Sequence, residues 1–205
     1  MQQSDGFRGL GLAPAVLSAV ERLGFSTPTP IQQKSIPIVC DGKDLIGIAQ
    51  TGTGKTLAFG LPAIARVLAT EKRVLIVLPT RELAAQVNES LLKVGGPLGI
   101  RTAVLIGGEY IVRQLRSLSR KPQIIIGTPG RLNDHIQQKT ISFSEVGMVV
   151  LDEADRTDAR ENFLAVYRKL ADELPPSSLG PVHAGAFDLS GRVAFRRFGA
   201  LAADL

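Results

Sequence analysis

The sequence is poor in the side chains that build disulfide frameworks and metal clusters. It contains one cysteine, Cys40, and two histidines, His135 and His183. A disulfide scaffold and a histidine–cysteine metal cluster are therefore both excluded. Cys40 lies on an apolar stretch and is predicted to be a buried thiol. His135 is predicted on the polar face of a helix, where it is solvated or caps the helix rather than taking part in catalysis.

Long apolar runs, repeats and low-complexity linkers are also absent. No segment approaches the ~20 consecutive apolar residues of a transmembrane helix, and the first residues lack the pattern of a secretory signal. We therefore expect a cytoplasmic protein with no membrane partner. The 205 residues, 44% of them hydrophobic, suffice for one core, and the formal net charge of +5 is mildly favourable for a polyanionic partner.

Apolar strand patterns alternate with helical patterns along most of the chain. Two amphipathic helices are predicted over residues 12–23 and 30–40. Strands are then predicted near residues 45, 74, 102, 124 and 148, and helices begin near residues 55, 81, 112 and 129. This alternation predicts an α/β fold, a mostly parallel sheet with helices on both of its faces.

The segment from Ala49 to Thr56 has the pattern of a phosphate-binding loop between a strand and a helix. Its glycines, Gly52 and Gly54, allow backbone N–H groups to close around a triphosphate, and the following helix turns its positive end toward the anion. Lys55 is predicted to reach the β- and γ-phosphates, and the Thr56 hydroxyl to hold Mg²⁺. Ala49 replaces the usual first glycine, so the motif is a variant. The other loop residues predicted to bind nucleotide are Gln50, Thr51 and Thr53.

An acidic pair follows the last predicted strand of the alternating region. Asp152 and Glu153 come directly after the apolar residues 148–151. Asp152 is predicted to anchor Mg²⁺ through water, and Glu153 to orient the water that attacks the γ-phosphate. Both phosphate-side elements stand at the carboxyl ends of strands, where open α/β sheets bind their ligands.

Three further loops follow strands, at residues 79–82, 107–108 and 128–131. Each alone is equally compatible with an ordinary turn, but together they place arginines, hydroxyls and helix N-termini at one edge of the sheet. Such a surface grips phosphates without reading bases and favours single-stranded RNA. The predicted RNA-binding residues are Pro79, Thr80, Arg81, Glu82, Gly107, Gly108, Thr128, Pro129, Gly130 and Arg131.

In their order, these segments resemble the first RecA-like domain of the DEAD-box RNA helicases over residues 7–156. The resemblance implies a RecA-like P-loop domain that binds ATP, Mg²⁺ and single-stranded RNA without sequence preference. It also implies that Phe7, Phe25 and Gln32 belong to an adenine-reading segment. The Gln32 amide donates and accepts at once, which suits the N6/N7 edge of adenine. Phe7 is predicted to stack on the base, with packing against an N-terminal helix as an equal alternative.

The resemblance ends after Arg156. The family continues with a strand carrying Ser-Ala-Thr between the strands of Lys55 and Asp152, but here Pro181 falls in that stretch and argues against a central strand. We expect a gap in the site as a result. Natural divergence, truncation and a reading-frame change are each compatible with this tail. From its composition, we expect a poorly ordered end rather than a segment that contacts RNA.

These patterns predict three parts: an adenine-reading helical segment over residues 1–40, a RecA-like domain over 41–175 and an atypical tail over 176–205. A second RecA-like domain is absent from the sequence. We expect the ATP-binding half of an ATP-dependent RNA helicase that is nearly inactive alone, with the missing domain or another protein as partner. A non-catalytic fragment that binds RNA or a partner is the first alternative. A P-loop kinase or transport ATPase is the second, disfavoured by Pro-Thr-Pro-Ile-Gln and Asp-Glu-Ala-Asp.

Overall fold

A six-stranded sheet lies at the centre of the computed structural model, which describes residues 6–48, 52–152, 166, 168, 169 and 192–197. The strands are β1 (Leu45–Ile48), β2 (Arg73–Val77), β3 (Thr102–Leu105), β4 (Ile124–Gly127), β5 (Val146–Leu151) and β6 (Arg192–Arg197). The helices are α1 (Pro14–Arg22), α2 (Pro30–Cys40), α3 (Lys55–Ala69), α4 (Arg81–Gly95), α5 (Ile111–Ser119) and α6 (Pro129–Gln137). Within these described ranges, no helix is both long enough and apolar enough to cross a membrane.

The strand order is β1-β6-β5-β2-β4-β3. β5, β2, β4 and β3 pair in parallel. β6 pairs antiparallel with both β1 and β5, so β1 runs in the same direction as the four parallel strands. The carboxyl ends of β1 to β5 therefore meet at one edge of the sheet, and the predicted, mostly parallel α/β arrangement is confirmed.

Helices cover both faces of the sheet because the side chains of each strand alternate between them. On β2, Val74 and Ile76 belong to a core that includes apolar residues of α1, α3 and α4. Leu75 and Val77 belong to a second core that includes Leu132 of α6. The continuous apolar run of β2 thus reflects burial on both faces, as expected for a parallel strand.

Strand β6 occupies the position between β1 and β5 where a gap was expected. Phe195 is paired with both Leu45 and Val150, and Ala194 with both Ile46 and Leu151. The two neighbouring strands would otherwise leave backbone N–H and C=O groups unpaired inside the sheet, which is costly. The chain reaches this position from the opposite direction, so the pairing is antiparallel. Pro181 and the other tail residues lie outside the described part.

A buried polar network joins α5 to α6. The Gln114 amide donates to the Ile106 carbonyl at 2.8 Å, which leaves its oxygen facing His135 Nε2 at 2.9 Å. His135 Nδ1 lies 2.7 Å from the Thr140 hydroxyl. The prediction of a solvated His135 was wrong, because the packing of α5 against α6 buries the ring completely.

Candidate nucleotide and nucleic-acid site

The sheet order separates two groups of predicted residues along one edge. β1 leads toward the phosphate loop, and β5 ends directly before Asp152. β2, β4 and β3 lead into the three loops predicted to face RNA. The nucleotide residues therefore lie toward the β1–β5 end of the edge, and the RNA loops lie toward the β2–β4–β3 end.

The described part of the phosphate loop has the geometry of an anion cradle. Gly52 and Gly54 adopt left-handed φ angles of 80° and 90°, which favour glycine. Gly54 is the N-cap of α3 and supplies no capping side chain, so the first N–H groups of a 15-residue helix remain available to an anion. Lys55 and Thr56, in the first helical turn, are half-buried. Residues 49–51, which include the predicted Gln50 and Thr51, lie outside the described part.

Gln32 connects the segment predicted to read adenine to the predicted phosphate loop. Its side chain is 3% exposed; its oxygen accepts from the Thr29 N–H at 2.9 Å, and its nitrogen donates to the Gly54 carbonyl at 3.0 Å. A β-carbon on Gly54 would lie only 2.6 Å from that nitrogen, so this contact also requires glycine. One N–H and one oxygen lone pair of the amide remain for a ligand.

The contribution of Thr29 was missed from the sequence. Thr29 precedes α2, and the Gln32 side chain reaches back to its backbone N–H, as in a capping box. The Thr-x-x-Gln spacing was the signal that could have identified it. This contact at the helix N-terminus positions Gln32 before any nucleotide binds.

A cavity of about 340 Å³ is lined by residues of this segment, including the two predicted aromatic residues Phe7 and Phe25. Phe7 is 5% exposed and packs within the core, whereas Phe25 is 43% exposed. Arg8 and Glu21 form an ion pair at 3.0 Å beside them. Phe7 therefore packs as the alternative interpretation expected, and its stacking on adenine stays a prediction.

Asp152 lies at the carboxyl end of β5 and is 7% exposed. Its N–H donates to the Val77 carbonyl at 3.1 Å, which extends the pairing of β5 with β2 by one residue. The Asp152 carboxylate and the Thr56 hydroxyl are oxygen ligands of the kind that Mg²⁺ prefers, so their chemistry fits the predicted ion. Glu153 lies outside the described residues.

The three loops predicted to face RNA meet in one cleft of about 520 Å³. Thr80 caps α4 by accepting from the Leu83 N–H at 3.2 Å. Arg81 is exposed, and its guanidinium lies against the backbone of Gly107 and Gly108; a β-carbon on Gly107 would be 3.2 Å from it, and one on Gly108 would overlap it. The lining residues are Pro79, Thr80, Arg81, Glu82, Gly107, Thr128, Gly130, Arg131 and Asp134.

Arg131 differs from Arg81 in its surroundings. Its side chain is 15% exposed, forms an ion pair with Asp134 at 3.3 Å and donates to the Glu109 carbonyl at 3.1 Å. Arg131 therefore ties two of the loops together, and its charge is partly neutralised. The arginine–aspartate spacing of three residues on a helix was the signal for this pair, which the sequence analysis did not use.

Comparisons with known proteins agree with this geometry. The DEAD/DEAH box helicase family model matches residues 29–183. The DEAD-box ATP-dependent RNA helicase CshA of Geobacillus kaustophilus is 50% identical over 73% of this chain and 32% of its own length. The ATP-dependent RNA helicase CshA of Listeria monocytogenes is also 50% identical, over 73% of this chain and 29% of its own. The chain thus spans about a third of the length of these relatives.

Solved structures show the same fold. A yeast DEAD-box splicing factor has a TM-score of 0.78 at 27% identity, covering 86% of this chain and 44% of that protein. A hypothetical ATP-dependent RNA helicase from Sulfolobus tokodaii has a TM-score of 0.71 at 30% identity, covering 77% of this chain and 47% of its own. The resemblance inferred from the sequence is confirmed, and the sheet is that of a RecA-like domain. The chain belongs to the DEAD/DEAH box helicase family.

Proposed function

We propose that this chain is the ATP-binding N-terminal half of an ATP-dependent RNA helicase, which binds Mg-ATP and the backbone of single-stranded RNA. The observation that carries the proposal is the bond from Gln32 to the Gly54 carbonyl. One buried amide thereby joins a base-reading segment to a phosphate loop, so that base and phosphates are bound together. The names of the relatives, ATP-dependent RNA helicases, support the same function.

At the nucleotide, the free N–H and lone pair of Gln32 match the donor and acceptor on the adenine N6/N7 edge. Lys55 would bind the β- and γ-phosphates, while Thr56 and Asp152 would hold Mg²⁺. When bound, Mg²⁺ neutralises charge on the phosphate oxygens. Glu153 orients the attacking water. Phe25, with its exposed ring, offers a further surface to the base.

At the RNA cleft, the exposed Arg81 is the principal phosphate ligand. Its guanidinium is already oriented by Gly107 and Gly108, so little side-chain entropy is lost on binding. Arg131 acts more by positioning the loops, because Asp134 and the Glu109 carbonyl already engage it. None of the described residues that line the cleft carries an amide side chain suited to reading bases, which favours binding without sequence preference.

A non-catalytic binding module is the second candidate function. It is favoured by β6, an antiparallel strand in the position where the family places its Ser-Ala-Thr strand. In this alternative the chain binds RNA or a protein partner without turnover. RNA-stimulated phosphate release by the purified chain would exclude it.

Nucleotide choice tests the proposal directly. Gln32→Ala should weaken the binding of ATP and ADP much more than that of GTP, by about 1–3 kcal/mol. The reason is that buried polar groups on the adenine edge lose their hydrogen-bond partner. Gln86→Ala, which removes an exposed glutamine of α4, is the matched control. Affinities would be measured by displacement of a fluorescent adenine nucleotide. Equal losses for both purines in Gln32→Ala would refute the adenine assignment.

A further inference from the structure

The positive charge of the chain is concentrated beside the RNA cleft. Residues 101–121 contain five cations and one acid, a net charge of +4 out of +5 for the whole chain. All five cations are exposed. We define the α5 surface as these cations together with the neighbouring tyrosine: Arg101, Tyr110, Arg113, Arg116, Arg120 and Lys121.

Four members of the α5 surface form one stripe. Arg113, Arg116 and Arg120 are spaced by three and four residues, which places them along one side of α5. Tyr110 is the N-cap of this helix, and its ring lies against Arg113. The other side is turned inward through Gln114, whose buried amide bonds to the Ile106 carbonyl and to His135. The network that was missed from the sequence therefore fixes which side of α5 faces outward.

Among the described residues, no carboxylate forms an ion pair with the cations of this surface. In the part of the chain that the structure describes, Arg8, Lys93 and Arg131 pair with carboxylates, but none of the five cations of the α5 surface does. Like charges held close together repel one another and raise the local positive potential. Such a stripe is electrostatically complementary to a polyanion.

Tyr110 adds a surface suited to bases. Its side chain is 76% exposed, and the Arg113 guanidinium carbon lies 5.8 Å from the ring centroid, within the range of a cation–π contact. An exposed aromatic ring among arginines is the arrangement on which single-stranded nucleic acids stack their bases. A purely electrostatic protein contact does not require the ring.

The α5 surface continues directly from the cleft. Tyr110 follows Gly107 and Gly108 by two residues, and Arg131 of the cleft donates to the carbonyl of Glu109, immediately before Tyr110. A strand that leaves the cleft past the glycines therefore meets Tyr110 first. The helix then extends for about 13 Å, at 1.5 Å per residue over nine residues, which gives room for a few more nucleotides.

We propose that the α5 surface is a second RNA-binding surface, which extends the path of a single strand beyond the cleft. Tyr110 stacks on a base, and Arg113, Arg116 and Arg120 contact successive phosphates. The inference rests on the proposed function, since the cleft must bind the same RNA. It adds a prediction that the cleft alone does not make, namely that affinity depends on RNA length.

The test compares oligouridines of about 6 and about 16 nucleotides, which span the shorter and longer site sizes of single-strand-binding folds. Fluorescence anisotropy is measured with the full 205-residue chain and Mg-ATP. The wild type should bind the longer RNA more tightly. Tyr110→Ala should weaken the binding of only the longer RNA, by about fivefold to a hundredfold. For the longer RNA, the logarithm of the affinity falls linearly with the logarithm of the salt concentration. The triple variant Arg113→Ala, Arg116→Ala, Arg120→Ala should lower the magnitude of this slope by about 2, at ~0.7 per phosphate contact.

Two further variants separate this inference from the proposed function. Lys43→Ala removes an exposed cation just before β1, at the end of the strand order farthest from β3, and should leave the affinity for both RNAs unchanged. Arg81→Ala should weaken the binding of both RNAs. Unchanged binding in this variant would contradict the proposal that the cleft binds RNA. Equal affinities of the wild type for both RNA lengths, or a triple variant that binds the longer RNA as Lys43→Ala does, would overturn the α5 surface alone. Polyglutamate should compete with the longer RNA less effectively than unlabelled RNA does. Equal competition would also overturn the α5 surface as an RNA site, in favour of an acidic protein partner.

Discussion

His135 shows how burial changes the chemistry of one residue. The ring is enclosed between α5 and α6, and burial, followed by the positive charge of Arg131, lowers its pKa below the usual value. Because Gln114 donates to the Ile106 carbonyl, its oxygen accepts from His135 Nε2. The neutral ring thus carries its proton on Nε2, and the single hydrogen of the Thr140 hydroxyl lies within reach of both Nδ1, at 2.7 Å, and the His135 carbonyl, at 3.0 Å.

The stability of the fold should therefore depend on pH through His135. The unfolded chain takes up a proton near pH 6.5, whereas the folded ring resists it. This contribution is complete above about pH 6.5 and is lost as the pH falls toward the lowered folded pKa. The free energy of unfolding in urea should decrease from pH 7 to pH 5 more steeply for the wild type than for His135→Gln. Equal slopes would contradict a buried neutral ring.

Cys40 is half-buried near the end of α2, where a buried thiol was predicted. Burial, followed by the charge of Asp41, raises its pKa from 9.0 to about 11. Alkylation by iodoacetamide at pH 8 requires the thiolate, so the folded chain should react about a hundredfold more slowly than the chain unfolded in urea. Asp41→Asn should increase the folded rate, since the second cause is removed. Equal folded and unfolded rates would refute the raised pKa.

At the scale of the element, local signals predicted well and long-range ones did not. The phosphate loop is coded by neighbouring residues, because Gly52 and Gly54 supply the left-handed turns and α3 starts directly after them. The Gln32–Gly54 bond joins residues 22 positions apart. Only the packing of α2 against α3 creates it. The same is true of the bond between Gln114 and His135. Both residues are polar and would be expected at the surface, but the packing of α5 against α6 buries them.

Strand β6 is the clearest case of structure that local pattern did not reveal. Its sequence has the pattern of a tail rich in basic and aromatic residues. These residues form a strand because their backbone pairs with the edges of β1 and β5. Pairing with two strands at once satisfies backbone groups on both sides. The identity of the side chains matters less for this than an extended backbone with its N–H groups intact.

Ala194→Pro should therefore remove β6 from the sheet. Ala194 is paired with Ile46 and Leu151, and proline supplies no N–H to the ladder. The carbonyl left without a donor costs about 1–3 kcal/mol, to be measured as a loss of unfolding free energy in urea. Ala194→Gly keeps the N–H and is the control. If the proline variant is no less stable than the glycine variant, β6 does not pair as described.

At the scale of the whole molecule, one sheet edge contains both ligand surfaces. The nucleotide residues lie around β1 and β5, the RNA cleft follows β2, β4 and β3, and Asp152 stands between them at the end of β5. Under the proposed function, RNA and nucleotide would therefore contact loops of the same sheet. Strand separation would additionally require a part that closes over both ligands, whereas the described residues 6–48, 52–152 and 192–197 are centred on one sheet.

The isolated chain should accordingly bind ligands without efficient turnover. Phosphoryl transfer depends on charges placed around the γ-phosphate, and an arginine supplied by a second domain or protein contributes about 10³–10⁵ in rate in related enzymes. We expect negligible RNA-stimulated ATPase and no unwinding, with RNA binding that weakens steeply as salt is added. Phosphate release would be measured at saturating Mg-ATP with and without single-stranded RNA. Lys55→Ala would serve as the blank for contaminating ATPases. Multiple RNA-stimulated turnovers above that blank would show that these 205 residues form a complete catalytic site, with β6 standing in for the strand that the family places there.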